Sequence, residues 1–284
     1  MRRSLLVELA YGFGDAVFGL RLLEKLSEQN GGPIGVATMP HVVDAFQNVP
    51  FIDEIIPIGG LNEGHKASKQ FKYRDYKQVT SNVYFQEFKN NDPEHSLIDT
   101  PKLIGRKFGV EVTDQRPVIY LTDEELHGMR AKYNDGIRSI AIESHYKSGQ
   151  SWASASDFQK IVDKFAKTHR IMMLSPETPL PTLPSGAVGF DDMKRWTRRQ
   201  CLGALTTCQY FFNVGSGFFC ASLAFGTFDN SLDPISDWPP FSFSLWKDEY
   251  YKYKKRLKEI DTKPVEWLDN TEQLTDALNS ISIS

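Results

Sequence analysis

The apolar run "SLLVELA" (4–10) empties into the tight turn "YGFGD", and the turn leads straight into the amphipathic segment "DAVFGLRLLEKLSEQ" (15–29). This order of strand, glycine turn and helix is the feature that most restricts the folds open to the chain. It continues with a strand at "PIGVATMP" (33–40), a short helix at "HVVDAFQNV" (41–49) and a third strand at "IDEIIPIG" (52–59). Such a βαβαβ alternation predicts an α/β architecture, a parallel sheet with right-handed crossovers and helices on both faces.

The same order restarts in the second half. "RSIAIESH" (138–145) reads as a strand that empties into the polar loop "YKSGQSWAS". In the helix after it Phe158, Ile161, Val162 and Phe165 fall at i, i+3, i+4 and i+7, with Ser156 and Gln159 as the expected capping box. Strands are expected at "HRIMMLSPE" (169–177) and "GAVGFDD" (186–192), and a helix at "RWTRRQCLGALTTC" (195–208). "YFFNVGSGFFCASLAFG" (210–226) reads as strand, glycine turn and helix. Between the halves, residues 60–101 are polar, with one strand around "YKQVTSNVYF"; helices follow in "PKLIGRKFGVEV" and at 123–137. With 284 residues, 40% of them hydrophobic, the chain has material for two domains, placed at 1–135 and 136–284. The tail reads as irregular around "DWPPFSFSLW", charged in "KDEYYKYKKRLKE", and closed by a helix in "NTEQLTDALNSI" that can pack back on the first domain.

A net charge of −3 supplies no overall field for nucleic acid or an anionic membrane, so only local basic patches remain for such partners. No apolar run approaches the roughly 20 residues that span a bilayer. The basic tip of "MRRSLLVELAYGFGD" is followed by no small-residue cleavage site, and a cytoplasmic location is expected. Cys201, Cys208 and Cys220 are odd in number and lack C-x-x-C spacing, which predicts buried thiols in a reducing compartment. His41, His65, His95, His127, His145 and His169 fall at no metal-ligand or triad spacing. His145 alone ends a strand beside a polar loop, where backbone satisfaction and a functional role are equally good readings.

The first glycine turn, "GFGDAV" (12–17), places Val17 where the dinucleotide fingerprint needs a small residue, and "GVATMPH" offers no acid for a ribose hydroxyl. A dehydrogenase is therefore disfavoured. Asp15 falls in the first helical turn, where the macrodipole and free backbone N–H groups stabilise an anion. It is either a helix cap or a carboxylate presented to substrate. The second turn, "NVGSGFF" (213–219), is either a simple tight turn or a cradle whose N–H donors and helix N-terminus meet phosphate oxygens. Two such loops at strand carboxyl ends would face each other across an interdomain cleft, one for a donor and one for an acceptor.

With these segments in order, the chain resembles a GT-B glycosyltransferase, most similar to family 9, the heptosyltransferase-like enzymes. "GFGDAVFGLRLLEKL" and "VPFIDEIIPIG" are similar to that family's first helix and third strand; "IAIESHYKSGQSWASASDFQKIVDKF" and "LGALTTCQYFFNVGSGFFCASLAFGT" to its second domain. The likeness covers roughly 3–60 and 136–227. It implies two Rossmann-like domains across a cleft, 1–135 for the acceptor and 136–284 for a nucleotide-diphosphate sugar. Asp15 is implied as general base, with Gly12 and Gly14 on the acceptor side. Gly215, Ser216 and Gly217 are implied at the donor diphosphate, Lys147, Ser148 and Gln150 at phosphates, Glu177 at the ribose and Met193 beside the base. Gly215 replaces the family's aspartate, Cys220 its histidine and Gln150 a common lysine, and after Gly226 the expected last strand is replaced by "TFDNSLDP". The implied reaction is inverting transfer to a saccharide or other hydroxyl acceptor, with no cofactor and no metal; D-x-D occurs nowhere in the chain.

Two alternatives stand beside it. One is a transferase of the same fold acting on a nucleic-acid base, suggested by "KDEYYKYKKRLK" (247–258), with six cations, two anions and three tyrosines, and by "KRWTRR" (194–199). The other is a non-catalytic nucleotide-sugar-binding protein.

Overall fold

A computed structural model describes residues 3–9, 12–58, 76–80, 97–144, 151–174, 180–224, 241–246, 255–257, 259–260 and 265–282. The chain divides into two compact units: Met1–Tyr120 with Lys255–Thr262, and Leu121–Lys254 with Lys263–Ser284.

The first unit is built on a four-stranded sheet in the order β3-β2-β1-β4, from β1 (Arg3–Leu9), β2 (Ile34–Thr38), β3 (Ile52–Pro57) and β4 (Tyr76–Thr80). All its pairings are parallel. Helix α1 (Phe13–Asn30) crosses from β1 to β2 and ends at Gly31, whose φ of 75° is the left-handed cap that glycine takes without steric cost. Its buried face carries Ala16, Leu20, Leu23 and Ser27, at i, i+4, i+7 and i+11. On the sheet, a Cβ on Gly35 would lie 2.1 Å from the Tyr76 hydroxyl. Glycine there opens the path by which Tyr76 donates to Glu54 Oε2 at 2.5 Å. Helix α2 (Thr100–Lys107) follows. Arg256, from the late segment, donates to Asp99 Oδ2 at 3.1 Å and to Gln115 Oε1 at 3.0 Å.

The second unit carries a six-stranded sheet in the order β10-β9-β8-β5-β6-β7. Its strands are β5 (Arg138–Glu143), β6 (His169–Leu174), β7 (Phe190–Asp192), β8 (Cys208–Asn213), β9 (Phe241–Ser244) and β10 (Val265–Trp267), again all parallel. Helices α3 (Asp123–Lys132), α4 (Ala155–Phe165), α5 (Arg198–Leu205), α6 (Gly217–Ala224) and α7 (Thr271–Ser280) complete it. Its core joins Ile140, Phe158, Ile161, Phe165, Phe212 and Leu274, so the predicted face of α4 is the buried one.

Four expectations are corrected. The division falls at Tyr120, not at 135, because α3 packs on α5. There Arg199, 5% exposed, donates to Glu125 Oε2 at 2.5 Å, and a Cβ on Gly203 would lie 2.8 Å from the Glu125 carbonyl oxygen. The last helix, α7, packs on α4 of its own unit through Thr271 Oγ1, which donates to Asp157 Oδ1 at 2.9 Å; Lys255–Thr262 is the late segment that joins the first unit. The α4 cap is Ser154 with Asp157, not Ser156 with Gln159, whose amide instead brackets the Thr182 backbone at 2.7 and 2.8 Å. The tail holds two further strands, β9 and β10.

Candidate active site

In each sheet the chain departs to opposite sides of one strand: β1 in the first unit, between β2 and β4, and β5 in the second, between β8 and β6. Open α/β sheets form their ligand crevices at the carboxyl ends of such strands.

At the end of β1, Gly12 is the N-cap of α1 and Asp15 stands three residues into it, half-buried. Asp15 Oδ2 accepts the Gly12 N–H at 3.2 Å. A Cβ on residue 12 would lie 2.8 Å from that oxygen, so glycine lets the carboxylate fold back on the helix end. The cap reading is thereby realised. It does not exhaust the carboxylate, whose two oxygens offer about four acceptor sites. Gly14 is buried in the same turn, and Thr38 Oγ1 donates to the Leu9 carbonyl at 2.6 Å, tying the end of β2 to β1.

At the end of β5 and β8 the second glycine loop is tightly specified. Asn213, fully buried, accepts the Gly215 N–H at 3.2 Å and the Ser244 hydroxyl at 2.9 Å on Oδ1, and donates to the Phe243 carbonyl at 3.1 Å. Gly215 has φ of 74°, and a Cβ there would lie 1.3 Å from Trp246 Nε1. The indole therefore occupies the space of a side chain at 215. Trp246 is itself held edge-on by Phe219 and Trp267, with ring centroids 5.5 and 5.4 Å away. Ser216 Oγ accepts the Phe218 N–H at 3.0 Å, and Gly217 begins α6, whose first N–H groups have no intrahelical partner by construction.

The Ser216 hydroxyl donates to Glu143 Oε1. Glu143 is the last residue of β5 and 1% exposed. Burial pushes its carboxyl up to about 8, against the pull of the Ser216 hydroxyl, the Val214 N–H and the Arg198 charge. Burial likewise pushes the Cys201 thiol up to about 12. Cys201, Cys208 and Cys220 are all buried and unbridged.

Of the residues singled out in the sequence, Gly215, Ser216 and Gly217 thus form one loop, while Gly12, Gly14 and Asp15 form the corresponding turn of the other unit. Met193 follows β7, two strands from β5; it is buried and its carbonyl accepts the Trp196 N–H at 3.0 Å. Lys147, Ser148, Gln150, Glu177 and His145 lie outside the described residues. Glu143, Asn213 and Trp246 escaped the sequence reading. Only Glu143 left a signal, an acid closing the apolar run "IAIES".

The basic runs are partly spent within the protein. Arg199 pairs with Glu125, Arg256 with Asp99, and Trp196 stacks on Tyr133 with centroids 6.4 Å apart. Among the described residues no group of three or more His, Cys, Asp or Glu side chains is placed to hold a metal ion, and no helix is long and apolar enough to cross a membrane.

No protein-family model matches the chain, and no curated protein sequence matches it. Solved structures do. A glycosyl transferase family 9 protein from Veillonella parvula DSM 2008 aligns at a TM-score of 0.60 and 14% identity, over 98% of this chain and 97% of its own. The E. coli ADP-heptose LPS heptosyltransferase II aligns at 0.64 and 10% identity, over 97% and 98%. E. coli heptosyltransferase WaaC with ADP-2-deoxy-2-fluoro heptose aligns at 0.54 and 10%, over 90% and 99%. The chain has the GT-B fold of these transferases, two units each wound on a parallel sheet.

Proposed function

We propose, from a fold shared end to end with heptosyltransferases and a family 9 transferase, that this chain moves a sugar from a nucleotide-diphosphate sugar to an acceptor hydroxyl. The observation that carries the proposal is the twin placement of the loops: each unit sets a glycine turn and a helix N-terminus at the switch point of its own sheet.

In this reading Asp15 accepts the proton of the acceptor hydroxyl as that oxygen displaces the diphosphate from the anomeric carbon, with inversion. The bond to the Gly12 N–H orients the carboxylate. Negative charge then grows on the departing nucleoside diphosphate. The amides at Ser216 and Gly217 and the N-terminal end of α6 stabilise it without a metal, and Lys147 is the cation assigned to the same phosphates. Gln150, Ser148, Glu177 and Met193 are assigned to the rest of the donor.

Asp15→Asn separates the two uses of this side chain. The amide oxygen still accepts the Gly12 N–H, so the thermal midpoint stays near wild type, but the group takes no proton. With ADP-, UDP- and GDP-sugars and a hydroxyl acceptor, the variant is expected to bind donor and to release nucleotide at least about 100-fold more slowly. Undiminished release removes Asp15 from the role of base, and nucleotide binding without acceptor-dependent release in the wild type would make the protein a binder only.

A further inference from the structure

The diphosphate loop holds one acid for which the transfer reaction itself has no use. Glu143 lies at the switch point with one oxygen on the Ser216 hydroxyl. Its second oxygen, Oε2, is buried and has no hydrogen-bond partner among the described residues. An ionised carboxylate so close to the amides of Ser216 and Gly217 would oppose an anionic ligand there. A carboxylic acid would not: it accepts on one oxygen and donates from the other, as protonated acids in apolar sites do.

We infer that Glu143 binds the donor diphosphate as a neutral acid, with Oε2–H donating to a phosphoryl oxygen and Oε1 accepting the Ser216 hydroxyl. The inference rests on the donor-site reading above. Ser216 then joins the acid to the loop: its Oγ–H points to Glu143 and its lone pair takes the Phe218 N–H. Among the described residues, the charged and titratable groups that face Glu143 are the Arg198 guanidinium and the Cys201 thiol. Neither changes charge near neutrality, since arginine stays protonated and Cys201 is pushed up to about 12. Glu143, held up to about 8, is the group that does.

Binding of ADP measured by calorimetry from pH 7.5 to 9.5 tests this. The wild type is expected to lose affinity about tenfold per pH unit above its Glu143 titration, roughly 20- to 30-fold over the whole range. Glu143→Gln keeps a donor and an acceptor and carries no titratable proton, so its affinity for ADP should show a flat profile over the same pH range. A flat wild-type profile, or a Gln variant that falls with pH as the wild type does, overturns the role of Glu143 and leaves the donor site standing. Absence of binding by ADP, UDP and GDP alike overturns the donor site and this inference together. The wild-type titration needs no variant, so misfolding of Glu143→Gln cannot mask the answer.

Discussion

At Gly215 two independent constraints meet on one residue. Its φ of 74° disfavours any side chain by roughly 1–2 kcal/mol, and the place of its Cβ is taken by the Trp246 indole. The aspartate that the family resemblance leads one to expect at 215 therefore has no room in this chain, and the departure has a physical cause. Asn213 and Ser244, one on each neighbouring strand, hold the loop in that shape from below. Gly215→Ala should cost about 2–4 kcal/mol, strain plus overpacking, and should shift the fluorescence of Trp246. A variant with wild-type stability and an unchanged tryptophan spectrum would mean that the indole does not rest on this glycine.

Among the elements, α4 shows how a strong pattern leaves its own start undecided. Ser156 with Gln159 and Ser154 with Asp157 both satisfy the capping-box spacing, and the helix uses the second pair. Asp157 wins because it has more to hold: the Ser154 N–H at 2.9 Å, the Ser154 hydroxyl at 2.6 Å and Thr271 on α7. Burial pushes its carboxyl up, but the hydrogen bonds of Ser154 and Thr271 and the nearby Lys160 outweigh it, and the group sits below its ordinary 3.8. Its stabilisation is thus complete above that value and lost as pH falls through the lower folded value. Asp157→Ala should cost about 2 kcal/mol in denaturant unfolding near neutrality, with the gap to wild type closing in acid. A constant gap down to the lowest accessible pH would contradict the assignment. Strand β9 is the opposite case: "FSFS" lies behind "DWPP" and carries serines at buried positions, which hides a central strand from a hydrophobicity reading. Ser244 is tolerated there because Asn213 accepts its hydroxyl.

Across the whole molecule, the late chain serves both units. Lys255–Thr262 belongs with the first, then β10 and α7 complete the second. Arg256 and the buried Leu257 anchor the first of these, with the guanidinium on Asp99 at the start of α2 and on Gln115. Replacing Arg256 by Ala should destabilise the first unit by about 1–2 kcal/mol, read as faster amide exchange across 97–115 with little change in β5, β6 and β8. Equal exchange in both proteins would show that the late segment adds nothing to the first unit. The same pairing bears on the nucleic-acid alternative, because Arg256 is one of the cations that made the tail look like a phosphate-binding run.

What the sequence by itself determined is the periodic part: two successive α/β halves, the strand–turn–helix order around Asp15 and around Gly215, and the buried face of α4. These are local patterns, set by apolar spacing and by turns that only glycine makes easily, so they can be read one segment at a time. Tertiary structure alone decided that α3 belongs to the second unit, that the tail is shared, and that Glu143, Asn213 and Trp246 converge on one loop. Those outcomes depend on strand order and on burial, which bring together residues at 143, 213 and 246 that no spacing rule connects. An acid at the end of an apolar strand looks unremarkable in one dimension; burial at a switch point is what raises its proton affinity, against the hydrogen bond it accepts from a serine of another strand's loop.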